Sequence, residues 1–479
     1  MNKFIIAKSS IFKQSLFLLT TLISFTNCDD SAENENNISG IVVDAQTNEP
    51  IAGATVKILE NGPETVTNEN GVFAFSEQAI IEAEQITQYD QLTMALSISH
   101  IDFRPRETNV IIGQQVELEL GPIDYPSFFY HKPVQLDDDI ETGALDEVDM
   151  NYQSIQNLMD KIYRDNYDEV HSVLIYRSGK LILEEYFHGN NDTIDFENGV
   201  IVDDQPPHIQ WGRNDKHYVA STNKAFTSII TGIALDQHDV PIETAIAGFL
   251  PEYNNYFDDE GKANISFKDC LSMQANLQWN EWGHPDLINM WKSTDFAEFL
   301  LSRPYLGAGT EWRYNSALPN LVLKCVDNMV GGNVREWAHE NFYGKLGITD
   351  YEWQNQPDGY PEGSARMFIR PRDMLKIGIT YLDQGQWKGE QVIPEDYVRA
   401  CFDHQVTTPD TGDYSYYFWL RNLNGVDYLS AEGDGGNFIN IIPSLDLVIV
   451  VTQGLYLKHG KYSIQMKEMM EDYILPAAE

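Results

Sequence analysis

Apolar and polar residues alternate from Ile38 to Asp44 and again from Ala54 to Leu59, with Asn48-Glu49-Pro50 and Gly53 punctuating between them. That period of two predicts half-buried strands. Val72 to Phe75 follows the turn Asn68-Glu69-Asn70-Gly71, and Leu92 to Ser99 and Val110 to Leu120 complete a set of short strands. Their regular spacing predicts a small all-β sandwich over residues 38–120. Residues 121–139, rich in Pro, Tyr and Asp, read as a linker. From Ile140 the pattern changes. Tyr152 to Tyr163 has helical periodicity, and Val170 to Tyr176 and Leu181 to Phe187 flank the turn Arg177-Ser178-Gly179-Lys180 as a hairpin. Asn190 to Pro207 is polar and acidic and reads as a surface insertion. Helices and strands then mix without βαβ alternation, so residues 140–479 are expected to form an α+β domain.

The first 27 residues follow another logic. Lys3, Lys8 and Lys13 precede the apolar run Leu16 to Phe25, which is too short to span a bilayer and reads as a signal peptide. Cys28 comes next, and its placement resembles that of the lipidated first residue of a mature bacterial lipoprotein. The polar, acidic residues 28–37 would then be a lipidated tether. The resemblance implies export to the cell envelope, periplasmic or surface-exposed, with the membrane reached through the lipid anchor. Plain secretion is the alternative.

Charge narrows the partners. Thirty-two Lys plus Arg against 73 Asp plus Glu give a net charge of -41. Such a field repels polyphosphate and argues against nucleic acid. Cys270, Cys325 and Cys401 are too few and too scattered for a disulfide framework and are expected as small buried hydrophobes, with one pair possible. No spacing suggests zinc or calcium, so neither metal nor cofactor is expected.

The candidate chemistry lies in Ser221-Thr222-Asn223-Lys224, which opens the apolar stretch Ala225 to Asp236. Residues i and i+3 share a helix face, so Lys224 would stand beside the Ser221 hydroxyl. A serine needs a base, and burial among apolar neighbours favours the neutral, basic form of a lysine. Taken alone the pattern is at chance level: Ser10 and Lys13 show the same spacing. The bland alternative is a helix N-cap followed by a solvated lysine. Two further segments change the odds: Gly307-Ala-Gly-Thr-Glu-Trp-Arg-Tyr314-Asn315-Ser316, then Ala431-Glu432-Gly433-Asp434-Gly435-Gly436-Asn437 leading into an apolar strand from Phe438 to Pro443.

In this order the three segments resemble the serine β-lactamase/penicillin-binding protein superfamily, and within it the class C-like branch of esterases, amidases and peptidases. The resemblance covers about residues 135–475 and implies an antiparallel sheet flanked by helices. It further implies Ser221 as nucleophile forming an acyl-enzyme, Lys224 as base alone or sharing that work with Tyr314, Tyr314 as proton shuttle, and Ser316 in a position that bonds Lys224 or substrate. Gly433, Asp434 and Gly435 would supply the substrate strand, with the Asp434 and Ser221 amides as oxyanion hole. Residues 38–120 resemble a carboxypeptidase regulatory-like domain, usually a spacer or a contact module for protein or glycan.

Where relatives acting on β-lactams keep Lys-Thr/Ser-Gly, this chain has Ala431-Glu432-Gly433. Glu432 and Asp434 are expected to repel a substrate carboxylate, which favours a neutral or cationic small-molecule or peptide-like ester or amide. A D-alanyl-D-alanine-type carboxypeptidase or β-lactamase is one alternative, and a non-catalytic surface binding protein is another. Trp211, Trp282, Trp291 and Tyr305 are candidates for the cleft wall or the core, and His217 for a structural role.

Overall fold

A computed structural model describes residues 38–479 apart from 46, 59–61, 77–79, 81–92, 114, 122–127, 129, 165, 197–199, 202–205, 282–285, 308–310 and 410–411. The signal peptide, Cys28, the tether and Trp282 lie outside the described residues.

The N-terminal β unit holds two sheets. Ile38–Asp44 pairs antiparallel with Val72–Phe75 and parallel with Gln115–Leu120. The second sheet runs Glu64–Val66, Thr55–Ile58, Thr93–His100, Phe103–Ile111, all antiparallel. Alternate residues such as Val42, Val56, Leu96 and Leu118 point inward and form the core between the sheets. One expectation is corrected. Val110 to Leu120 is not a single strand, because the chain turns at Ile112–Gly113, with Gly113 at φ 87°, and the two halves enter different sheets. Alternation of apolar residues continues through such a turn and so conceals it.

The larger unit is built on an eight-stranded antiparallel sheet. Its order is Val406–Thr408, Gly412–Ser415, Phe418–Leu423, Val426–Gly433, Asn437–Ile442, Leu447–Gln453, Val170–Arg177, Lys180–Tyr186. The early hairpin thus pairs with the last strand of the chain, Thr452 opposite Ser172. Leu447–Gln453 is buried on both faces because helices cover both. Helix Pro371–Leu382 lies on one face against Val448 and Ile439. Helix Tyr152–Tyr163 lies on the other, with Ile155, Leu158 and Met159 in the second core. Helix Asn223–Gln237 is buried nearly all round, from Asn223 to Leu235, as a helix in the centre of a domain is. Its Phe226, Ile229 and Ile233 share a core with Leu321, Val322 and Cys325 of helix Ala317–Met329. Cys270, Cys325 and Cys401 are buried and unbridged.

Candidate active site

Ser221 sits in a tight turn, Ala220–Thr222, immediately before helix Asn223–Gln237. Ala220 adopts φ 46°, a left-handed conformation that a non-glycine residue holds only where the surroundings enforce it. The turn exposes Ser221 at the head of the buried helix, and Lys224 follows one turn later. The Lys224 Nζ donates to Ser221 Oγ at 2.8 Å and to the Ser364 carbonyl at 3.3 Å, and the residue is 2% exposed. It also lies over the Tyr314 ring, 5.0 Å from the centroid.

Residues 362–364 grip this helix with consecutive carbonyls. Asn223 Nδ2 donates to Glu362 O at 2.9 Å, Thr227 Oγ1 to Gly363 O at 2.7 Å, and Lys224 to Ser364 O. The segment is itself folded around the fully buried Glu362 carboxylate, which accepts from the amides of Ser364, Ala365 and Arg366, from Ser364 Oγ and from Asn320 Nδ2. Three successive N–H groups converging on one carboxylate oxygen form an anion nest.

The strand Val426–Gly433 approaches the Ser221 turn so closely that only glycine fits. A Cβ on Gly433 would stand 2.1 Å from Val219 O and 2.8 Å from Thr222 Oγ1. Beyond it, Asp434, Gly435 and Gly436 turn the chain into strand Asn437–Ile442, with Gly436 N donating to Gly433 O. Thr222 Oγ1 donates to Asn437 O at 2.9 Å, which ties the strand end to the Ser221 turn.

A cleft of about 1510 Å³ opens over these groups, and Ser221, Lys224, Tyr314, Ser316, Gly433 and Asp434 all contribute to its wall. Trp312, Tyr314 and Trp419 line one side as an aromatic cluster, Tyr314 stacked on Trp419 with ring centroids 6.4 Å apart. Tyr218 and Tyr456 also face the cleft. Burial pushes both phenols well above the usual range, so they remain protonated and are no candidates for a base.

Two expectations require correction. Of the two partners expected for Ser316, which lines the cleft, Lys224 is not bonded to it. The Ser316 Oγ donates to Glu281 Oε1 at 2.5 Å and its amide to Glu281 Oε2 at 3.1 Å, because it stands at the start of helix Ala317–Met329 with its polar groups turned to the 281 loop. Glu432 does not present a bare charge. Arg421, on the neighbouring strand, clamps it with Nε and Nη2 at 2.8 and 2.9 Å. A planar guanidinium matched to a carboxylate in this way leaves the pair close to neutral. Asp434 accepts from the Leu457 amide.

The carboxylate that sequence reasoning missed is Glu281. It lines the cleft, and its hydrogen-bond partners among the described residues are neutral: Trp279 Nε1 at 2.6 Å and the two groups of Ser316. Its one signal in the sequence is an acidic residue set among tryptophans in Trp279-Asn280-Glu281-Trp282. Of the aromatic candidates, Trp291 reaches the cleft, while Trp211 stacks on His171 at 4.7 Å and packs the interior. Tyr305 packs against Gly261. His217 is buried and bonded to His171 and to the Tyr218 carbonyl, a structural arrangement.

A mixed fold with a serine and a lysine at the head of a central helix, facing the end of a strand of an antiparallel sheet, defines the class of active-site serine hydrolases. The family model for beta-lactamase matches residues 166–468, and the model for the CarboxypepD_reg-like domain matches residues 38–122. The chain belongs to the beta-lactamase family of serine hydrolases, preceded by a carboxypeptidase regulatory-like domain. Among solved structures it is similar to a penicillin-binding protein homologue from Caulobacter crescentus, at TM-score 0.52 and 13% identity over 68% of this chain and 97% of that one. It is also similar to EstCE1, a hydrolase with promiscuous acyltransferase activity, at 0.51 and 16% over 66% and 97%. A third likeness is to simvastatin synthase from Aspergillus terreus, at 0.50 and 17% over 67% and 96%. At these identities the likeness establishes the fold.

Proposed function

We propose that the protein hydrolyses an ester or amide through an acyl-enzyme on Ser221, and that its substrate is neutral or cationic rather than a β-lactam. The observation that carries this reading is the 2.8 Å contact between Lys224 Nζ and Ser221 Oγ at the floor of the cleft. In its neutral form the amine takes the serine proton as Oγ attacks the carbonyl. Tyr314, against Lys224, passes a proton to the leaving group, and water later regenerates the serine. The amides of Ser221 and Asp434 are assigned to the developing oxyanion, since the strand end carrying Asp434 is pressed against the Ser221 turn.

Substrate preference now rests on different residues. Glu432 is paired, so it supplies little repulsion. Glu281 is a carboxylate whose donors among the described residues are neutral, and Ala431 leaves no lysine on the strand to hold a substrate carboxylate. The aromatic wall favours an apolar acyl group beside the scissile bond. The apolar run before Cys28 supports a lipid-anchored protein of the cell envelope, with the sandwich free to contact protein or glycan.

The test is kcat/KM on matched p-nitrophenyl esters whose acyl chains end in an ammonium, a methyl or a carboxylate, beside a chromogenic cephalosporin. The expected order is ammonium or methyl ahead of carboxylate, with the cephalosporin slowest. A cephalosporin rate equal to the esters favours the β-lactamase or D-alanyl-D-alanine carboxypeptidase reading. No turnover of any substrate favours a binding protein.

A further inference from the structure

We propose that Arg106 of the N-terminal β-sandwich is a positioning residue for catalysis, acting through a buried polar chain on the glycine turn that follows Gly433. The inference rests on the reading of Ser221 as nucleophile and adds a task for the accessory domain beyond that of a spacer.

Arg106 belongs to strand Phe103–Ile111 of the sandwich and is 1% exposed, among the most deeply buried large side chains of the protein. Its Nη1 donates to Glu119 O at 3.1 Å, which fixes it to the last strand of its own domain. Its Nη2 crosses to the catalytic domain and pairs with Asp168. Lys461 reaches the same carboxylate from helix His459–Glu468. Burial raises the affinity of the Asp168 carboxylate for a proton, but the two cations outweigh it and hold the group well below the usual carboxylate range. The carboxylate is therefore charged at neutral pH.

From Asp168 the chain continues inward. Its amide donates to Gln465 Oε1 at 2.8 Å, and its carbonyl accepts from Gln465 Nε2 at 3.0 Å. Gln465 Nε2 also donates to Gln453 Oε1 at 2.6 Å, and Gln453 Nε2 reaches Gly436 O at 3.5 Å. Gln453 is wholly buried and Gln465 nearly so, which leaves these amides no water to turn to. Gly436 closes the turn that starts at Gly433, the residue pressed against the Ser221 turn.

A second arm leaves the neighbouring residue. Glu169, held at φ 50°, accepts from Asn190 N at 2.7 Å and contacts His171 Nε2 at 3.2 Å. His171 Nδ1 meets His217 Nε2 at 2.8 Å, and His217 Nδ1 meets the Tyr218 carbonyl at 3.0 Å. Val219, one residue on, carries the carbonyl that Gly433 packs against. Both arms thus start at Asp168–Glu169 and end on the two backbone segments assigned to the oxyanion. A spacer domain has no need to bury an arginine at the head of such a chain.

The experiment uses the full chain and p-nitrophenyl acetate, with active sites counted by fluorophosphonate titration so that kcat refers to competent molecules only. Arg106→Met is expected to lower kcat about tenfold with KM changed less than about twofold, the range of coupling that side-chain chains carry. Arg106→Lys, which keeps a cation facing Asp168, restores most of the loss. Gln465→Met produces the same drop from inside the catalytic domain, and the Arg106→Met/Gln465→Met double variant is no slower than Gln465→Met alone. Unchanged kcat per titrated site in Arg106→Met, or in Gln465→Met if the first variant yields too few sites, overturns the inference. So do losses that multiply in the double variant. Failure of the fluorophosphonate to modify Ser221 in the unaltered protein instead overturns the reading of the nucleophile.

Discussion

Replacing Glu362 by alanine tests how the site is held together. The carboxylate is fully buried and satisfies five donors: three consecutive amides, one hydroxyl and the Asn320 side-chain amide. A buried donor left without an acceptor costs about 1–3 kcal/mol. Water entering the vacated space recovers part of that, and removal of a buried charge relieves its desolvation. A net loss of about 4 kcal/mol is expected, with Glu362→Gln losing about half as much because one oxygen remains for the nest. The change is also expected to reach catalysis, since the Ser364 carbonyl that receives Lys224 belongs to the same segment. Urea unfolding followed by tryptophan fluorescence gives the stability change from the midpoint at constant slope. The same samples give kcat on p-nitrophenyl acetate, expected to fall together with stability. A loss below about 1 kcal/mol in Glu362→Ala, with kcat unaltered, would refute the reasoning that the nest organises the segment.

Three other outcomes are expected. Glu281→Gln should cut the preference for an ammonium-ended over a methyl-ended ester by about tenfold, since a charge contact at ~5 Å in a cleft is worth up to a few kcal/mol; an unchanged ratio of kcat/KM values removes Glu281 from substrate selection. Glu169 is raised by burial above its ordinary value near 4.5, so the stability it contributes is fully present at low pH and is lost as pH rises through the raised value. Its carboxyl also contacts His171 Nε2 at 3.2 Å, and burial pushes the pKa of His171 down to about 3. Thermal unfolding across pH 5–8, in the unaltered protein and in Glu169→Gln, should show that loss in the former and little of it in the latter. Cys28→Ser should shift the protein from the membrane to the soluble fraction in cells of a bacterial host; unchanged fractionation argues against the lipid anchor.

What the sequence disclosed follows from the range of each interaction. Helix Tyr152–Tyr163 and the hairpin Val170–Tyr186 depend on neighbours a few residues away, and period and turn residues reveal them. The Ser221–Lys224 contact is equally local, one turn of a helix. Ser316 and Glu281 are 35 residues apart, and nothing near either one announces the other. The Arg421–Glu432 clamp exists because two adjacent strands are in one particular register, Leu420 opposite Leu429, and charge counting along the chain reads Glu432 as bare. Glu362 looks like a surface acid in Pro361-Glu362-Gly363-Ser364, yet the chain folds around it. Local chemistry was legible, while the partners that fix its charge and orientation arrive from distant segments.

The central claim is that Ser221 carries the acyl group. Intact-mass measurement after incubation with a fluorophosphonate, followed by peptide mapping, reads it directly. One adduct per chain on the Ser221 peptide, absent in Ser221→Ala and much slower in Lys224→Met, is the predicted result. Labelling that persists in Ser221→Ala, or that maps to another residue, would contradict the account.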